Sequence, residues 1–319
     1  MRVALVWLAI LLAGSVAACR GAATPTPTTG AMGETTASAA RRLVVVTSIP
    51  IFATMVEVVG GEFVEASAVM PPGTDPHTYQ PVPRDVAKLA VADLVVYNGG
   101  DLDPWMERQL EATGSRARVV VLSEGLEPPP GVGEEEAHAG ETPAVEHEHG
   151  VNPHFWLDPD FGIIYVQRIA EGLAQVDPAR AETYRANAER YIAEIRAFDE
   201  WAKEQIATIP PERRKLVTFH DAFPYFAAHY GLELVGVVIL SPGREPSPQE
   251  VAQLVERIRS EGVPAIFVEP QFNPKLAETI AQEAGVRVLE LYSDAAPAGT
   301  DYLGMMRRNV TNVVEGLRG

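Results

Sequence analysis

The sequence predicts an α/β protein with two mostly parallel four-stranded sheets, each covered by helices on both faces and joined by one long helix. Short β-rich runs alternate with helical stretches through residues 43–121, and the same alternation returns through residues 215–317. The most helical stretch of the chain lies between them. Alternating strand and helix requires crossover connections, and these make parallel sheets buried on both faces.

At the start of the chain, Met1 and Arg2 precede an apolar run, Val3 to Gly14. It falls far short of the ~20 residues that span a bilayer and fits the core of a secretion signal. The run ends in Val16-Ala17-Ala18-Cys19, which resembles a bacterial lipoprotein signal whose cysteine is diacylated and becomes the mature N-terminus. Residues 1–18 are therefore expected to be a signal peptide and Cys19 the lipid attachment. An ordinary signal peptide cleaved nearby, with Cys19 incidental, is the alternative. Cys19 is the only cysteine, so no disulfide and no thiolate metal site is expected despite an oxidising destination.

Residues 19–42, rich in Ala, Thr, Gly and Pro, bury too little to fold and read as a flexible tether. No later apolar run is long enough to cross a membrane. The formal net charge is −17, and removal of residues 1–18 would leave the chain one unit more acidic. That acidity argues against nucleic acid and against docking on anionic lipid, and it favours cations near the surface.

In the first half the expected strands are Leu43–Thr47, Phe63–Val69, Leu94–Asn98 and Arg118–Val121. In the second they are Lys215–Phe219, Glu233–Val238, Ala265–Val268 and Arg287–Leu291, with helices at Asp221–Tyr230, Pro248–Ser260, Pro274–Ala284 and Tyr302–Leu317. Asp177 is placed to cap the linking helix, with Pro178 at its first position, and Pro210-Pro211 stop it after Ile209. Tyr184, Ala188, Tyr191, Ile195, Phe198 and Ala202 form one apolar stripe along it. About 30 residues at 1.5 Å each gives roughly 45 Å, the height of both lobes, and a stiff helix of that length limits how far they swing apart. The expected organisation is an N-terminal lobe over 43–176, a linking helix over 177–209 and a C-terminal lobe over 210–319.

Four segments each offer one good metal ligand: His77 in DPHTYQP, His154 in NPHFWLDP, His220 in TFHDAFPYF and Asp294 in LYSDAAP. Three imidazoles and a carboxylate complete a zinc shell, and a shell closed by protein holds an ion, whereas a catalytic site keeps a position for water. His77 follows the second strand, His220 ends the fifth and Asp294 follows the eighth, where ligands bind in such sheets. Each has a bland alternative. His154 could be a buried structural histidine, His220-Asp221 a helix cap, and Asp294 a turn residue. His229, in the AAHY stretch expected to be helical and outside the four ligand segments, reads as structural or exposed.

Several longer segments go together: PGTDPHTYQPVPRDVAKLAVADLVVYNGGDLDPW, NPHFWLDP, TFHDAFPYFAAHYGL, SPGREPSPQE, IFVEPQF and DYLGMMRRNVTNVVEGL. In order and spacing they resemble the substrate-binding lipoproteins of zinc and manganese ABC importers, from Leu43 to Leu317. The resemblance implies two Rossmann-like lobes joined by a rigid helix, ligands at His77, His154, His220 and Asp294, and an ABC permease as partner. It also implies a monomer that carries a metal ion and is held to the outer face of the membrane through its N-terminal lipid. Asp103 in GDLDPW departs from a more usual glutamate, outside the ligand set.

At the third ligand position the family's glutamate goes with manganese and its histidine with zinc. His220 thus implies Zn²⁺ as cargo, with manganese or mixed binding the alternative, and three imidazoles do favour a borderline ion over a hard one. Between Glu127 and Gly150, an acidic loop carries His138, His147 and His149. It reads either as a solvated loop or as a weak outer zinc trap, and it resembles the longer histidine-rich loop of some zinc-binding relatives. A zinc hydrolase would need a helical His-Glu-x-x-His or an equivalent base, which His147-Glu148-His149 does not supply, so no enzyme is expected. A surface adhesin remains the rival of another class.

Overall fold

The chain's most apolar short runs become the inner strands of two sheets in the computed structural model, which describes residues 41–132, 151–240, 242–297 and 299–318. The first sheet holds β1 (Leu43–Thr47), β2 (Val64–Ala68), β3 (Leu94–Tyr97) and β4 (Arg118–Val121) in the order β2-β1-β3-β4, all parallel. The second holds β5 (Lys215–His220), β6 (Glu233–Ile239), β7 (Ala265–Val268) and β8 (Arg287–Glu290) in the order β6-β5-β7-β8, again all parallel. Every residue of β3 (LVVY) and β7 (AIFV) is buried, as a strand covered on both faces requires. In each sheet the order reverses beside the first strand, at β1/β3 and β5/β7, and ligands of open α/β sheets bind beyond the carboxyl ends of the strands there.

The helices are α1 (Pro50–Gly60), α2 (Pro83–Val86), α3 (Trp105–Thr113), α4 (Pro159–Val176), α5 (Ala181–Ala207), α6 (Pro224–Tyr230), α7 (Pro248–Glu261), α8 (Lys275–Ala284) and α9 (Tyr302–Arg318). The 27-residue α5 is about 40 Å long at 1.5 Å per residue. All six residues of its expected stripe are buried, and it packs on α1, α4 and α9. Helix α9 contacts α1 as well as β8, so the end of the chain returns to the first lobe. Gly162 makes one such contact possible, because a Cβ there would lie 2.3 Å from the Tyr302 hydroxyl, which donates to the Trp156 carbonyl at 2.8 Å.

Two helix starts differ from the sequence reading. Pro178–Arg180 form a 3-10 turn, and α5 begins at Ala181. The Asp177 carboxylate accepts from Tyr184 Oη at 2.9 Å and pairs with Arg180, so it staples the turn to α5 without capping that helix. Helix α6 starts at Pro224 after the N-cap residue Phe223. The fixed φ of Pro224 suits the first helical position, and Ala222 N turns back to the His220 carbonyl at 2.9 Å, so Asp221 is not the N-cap of α6.

His229 joins three helices. From α6, its Nδ1 lies 3.0 Å from Asp158 Oδ1 at the start of α4, and its Nε2 lies 2.8 Å from Asp199 Oδ1 on α5. Burial alone would lower its pKa, but the Asp158 and Asp199 carboxylates outweigh it and raise the value to about 9. With an unfolded value near 6.5, this contribution to stability is fully present below about pH 6.5 and is lost as pH rises through about 9. We expect the apo-protein's melting temperature to fall between pH 7 and 9.5, and His229→Gln to melt several degrees lower at pH 7 with that alkaline fall reduced. Parallel pH curves for the two proteins would refute the assignment.

Candidate metal centre

The loops that leave the carboxyl ends of both sheets bring His77, His154, His220 and Asp294 together, with one ligand atom from each lying within 4.8 Å of the others. His77 comes from the segment between β2 and α2, His220 is the last residue of β5, and Asp294 follows β8. His154 precedes the 3-10 turn Phe155–Leu157 that opens α4. Its Nε2 is the hub: 3.3 Å from His77 Nε2, 3.4 Å from His220 Nε2 and 3.4 Å from Asp294 Oδ1. A tetrahedron around an ion bound at about 2.0–2.1 Å has edges of about 3.3–3.4 Å, so these separations suit one shared ion.

A neighbour sets the tautomer of each imidazole. His77 Nδ1 lies 3.3 Å from the Asp101 carbonyl, His154 Nδ1 lies 2.9 Å from Asn152 Oδ1, and His220 Nδ1 makes an ion-pair contact with Glu269. An acceptor at Nδ1 keeps the proton there and turns the Nε2 lone pair inward, the usual second-sphere support of a metal-bound histidine. Asp294 is held asymmetrically. Its Oδ2 accepts from Gln271 Nε2 at 3.3 Å, whereas its buried Oδ1 has no hydrogen-bond partner among the described residues. A buried carboxylate oxygen seldom goes without a partner, and a cation would supply one.

Burial and charge divide the ligands. Burial lowers the His154 pKa to about 4, leaving a neutral ring, as a ligand must be. At His220 burial also lowers the value, but Glu269 outweighs it and the result is about 9, so without an ion this ring is protonated at neutral pH and an entering cation must displace the Nε2 proton. Asp294 is raised by burial but lowered further by His154, His220 and His77, and it stays ionised. His154, His220 and Asp294 are almost fully buried, while His77 is only partly so and forms the solvent side of the site.

The sequence reading had not assigned roles to several neighbours. Asn152, Glu269 and Gln271 lie inside the motifs NPHFWLDP and IFVEPQF, a signal in sequence but not one that separates support from core. Asp103 is wholly buried and accepts from Asn98 N at 2.9 Å and Gly99 N at 2.8 Å. Burial raises its pKa to about 6, and it shapes the 98–103 loop whose Asp101 carbonyl meets His77. Asp158, Asp160 and His229 are also close enough to share an ion. However, both nitrogens of His229 face carboxylates, and Asp158 caps the positive end of α4, so the group reads as an ion-pair knot. Cys19, His138, His147 and His149 lie outside the described residues. Among the described residues, no helix is long and apolar enough to cross a membrane.

Comparison with known proteins identifies the family. The family model described as zinc-uptake complex component A, periplasmic, matches residues 45–316. The manganese-binding lipoprotein MntA of Halalkalibacterium halodurans is 33% identical over 293 residues, 90% of this chain and 93% of that protein. The iron-binding protein YfeA of Yersinia pestis is 31% identical over 295 residues, 90% of this chain and 91% of that protein. Among solved structures, the periplasmic zinc-binding protein TroA of Treponema pallidum superposes with a TM-score of 0.76 at 29% identity, covering 87% of this chain and all of that one. The chain belongs to the zinc-uptake complex component A family, the metal-binding substrate-binding proteins of ABC importers.

Proposed function

We propose that the protein captures Zn²⁺ outside the cytoplasm with His77, His154, His220 and Asp294 and delivers it to an ABC permease. The observation that supports this reading is a donor set of three imidazole Nε2 atoms and a buried carboxylate whose Oδ1 has no hydrogen-bond partner among the described residues. Bound through Asp294 Oδ1 alone, an ion would have four donors; Oδ2 accepts from Gln271 at 3.3 Å and also lies 3.7 Å from His220 Nε2. Four mixed nitrogen and oxygen donors suit zinc, whereas manganese prefers more, and harder, oxygen ligands. The ion would enter past His77, the one partly exposed ligand, and the acidic surface would raise the local cation concentration.

A second reading is manganese or mixed binding, favoured by the manganese- and iron-binding relatives named above. Metal analysis of protein purified without added metal, followed by competitive titration, separates the two. His220→Glu replaces a neutral nitrogen with an anionic oxygen of similar reach, so the ratio of zinc to manganese affinity should fall by at least about tenfold. An unchanged ratio would remove the main support for zinc.

We also propose lipid attachment at Cys19 and weak metal capture by His138, His147 and His149. Deleting residues 134–149 should abolish any weak extra zinc equivalents and leave the tight site untouched. Loss of tight binding with the loop would contradict the four-residue assignment.

A further inference from the structure

Asn152 stands in the segment between β4 and α4, where the chain enters the metal centre, and its amide can be oriented in only one way. Its Nδ2 lies 2.7 Å from the carbonyl oxygen of Asp221, the residue after His220. A carbonyl only accepts, so the amide nitrogen must face it and Oδ1 must face the other way. There Oδ1 meets His154 Nδ1 at 2.9 Å and His154 N at 3.1 Å. An amide oxygen likewise only accepts, so His154 carries its proton on Nδ1 and its lone pair on Nε2, the atom at the hub of the site. One backbone carbonyl in the second lobe thereby fixes the tautomer of a ligand that opens α4.

The surroundings hold the segment in register. Tyr225 Oη on α6 donates to the Asn152 carbonyl at 2.7 Å, and Asn98 Nδ2 at the end of β3 donates to the Pro153 carbonyl at 3.0 Å. The backbone on either side of the Asn152–Pro153 bond is thus tied to both lobes, and Asn152 is the residue whose side chain touches a ligand.

Resting on the zinc-site reading, we infer that Asn152 is a positioning residue that couples the two lobes to metal binding: its oxygen orients His154 while its amino group holds the backbone beside His220. The two roles are separable. Asn152→Asp keeps an acceptor of the same reach for His154 but loses the donor to Asp221, whereas Asn152→Ala loses both.

The test compares native protein, Asn152→Asp, Asn152→Ala and His154→Ala by zinc competition titration, by the visible spectrum of the Co²⁺-loaded form and by apo-protein melting. Asn152→Ala should bind zinc about 10–100-fold more weakly, the range typical of lost second-sphere partners, with a weaker Co²⁺ spectrum as water enters the shell. Asn152→Asp should keep the native Co²⁺ spectrum. Both variants should melt below native apo-protein, because both lose the tie to Asp221. Native affinity and spectrum in Asn152→Ala, the same spectral change in both variants, or native apo melting in both would each overturn the inference. The site reading is judged separately: it fails if His154→Ala binds zinc like native protein, whatever the Asn152 variants do.

Discussion

His154→Ala is expected to weaken zinc binding by well over a hundredfold, the largest effect of any single substitution at the site. His154 Nε2 lies within 3.4 Å of a ligand atom on each of the other three residues, so its loss opens the shell at its centre. Second-sphere losses cost about 10–100-fold, and a directly bound ligand should exceed that range. The ring is almost fully buried, and water filling its space would meet Trp156, whose ring centroid is 5.2 Å away. Competition titration against a chelator of known affinity reads the effect, and a loss below tenfold would remove His154 from the shell.

Zinc should also stabilise the whole molecule. His77 follows a strand of the first sheet, whereas His220 and Asp294 end or follow strands of the second, so a bound ion clamps both lobes and is lost on unfolding. Free zinc at a hundred times its dissociation constant contributes about 2.7 kcal/mol. A chain larger than 250 residues falls at the low end of the size scaling, about 2 °C per kcal/mol, so the melting temperature should rise by about 5 °C. Chelator should reverse the shift. A melting temperature indifferent to both zinc and chelator would mean that the four side chains do not share an ion across the lobes.

Most of the fold could be read from the chain because its strands are short runs of branched apolar residues bounded by turns. Leu43–Thr47, Arg118–Val121 and Ala265–Val268 have the same limits in sequence and structure. Several other strand limits shift by one residue; in β5 the added residue is His220, a polar side chain at the site that interrupts the apolar pattern. Helix starts were less legible. Asp177 and Asp221 carry good capping side chains, but Asp177 spends its carboxylate on Tyr184 and Arg180, and the proline at 224 sets the start of α6.

The four converging residues were visible because their motifs occur together in the order and spacing of the family they resemble, although each alone has a bland reading. Their supports were not. Asn152, Glu269 and Asp103 act through contacts with residues distant in sequence or with backbone atoms, and single-sequence patterns do not record such pairings. His229 shows the same limit: in sequence it reads as either structural or exposed, because Asp158 and Asp199 lie 71 and 30 positions away.

X-ray absorption at the zinc edge of the loaded protein tests the central claim most directly. The expected result is one tightly bound zinc per chain with four nitrogen or oxygen neighbours at about 2.0–2.1 Å, multiple scattering from three imidazole rings and no sulfur. A shell of five or six light atoms with one imidazole or none would contradict it.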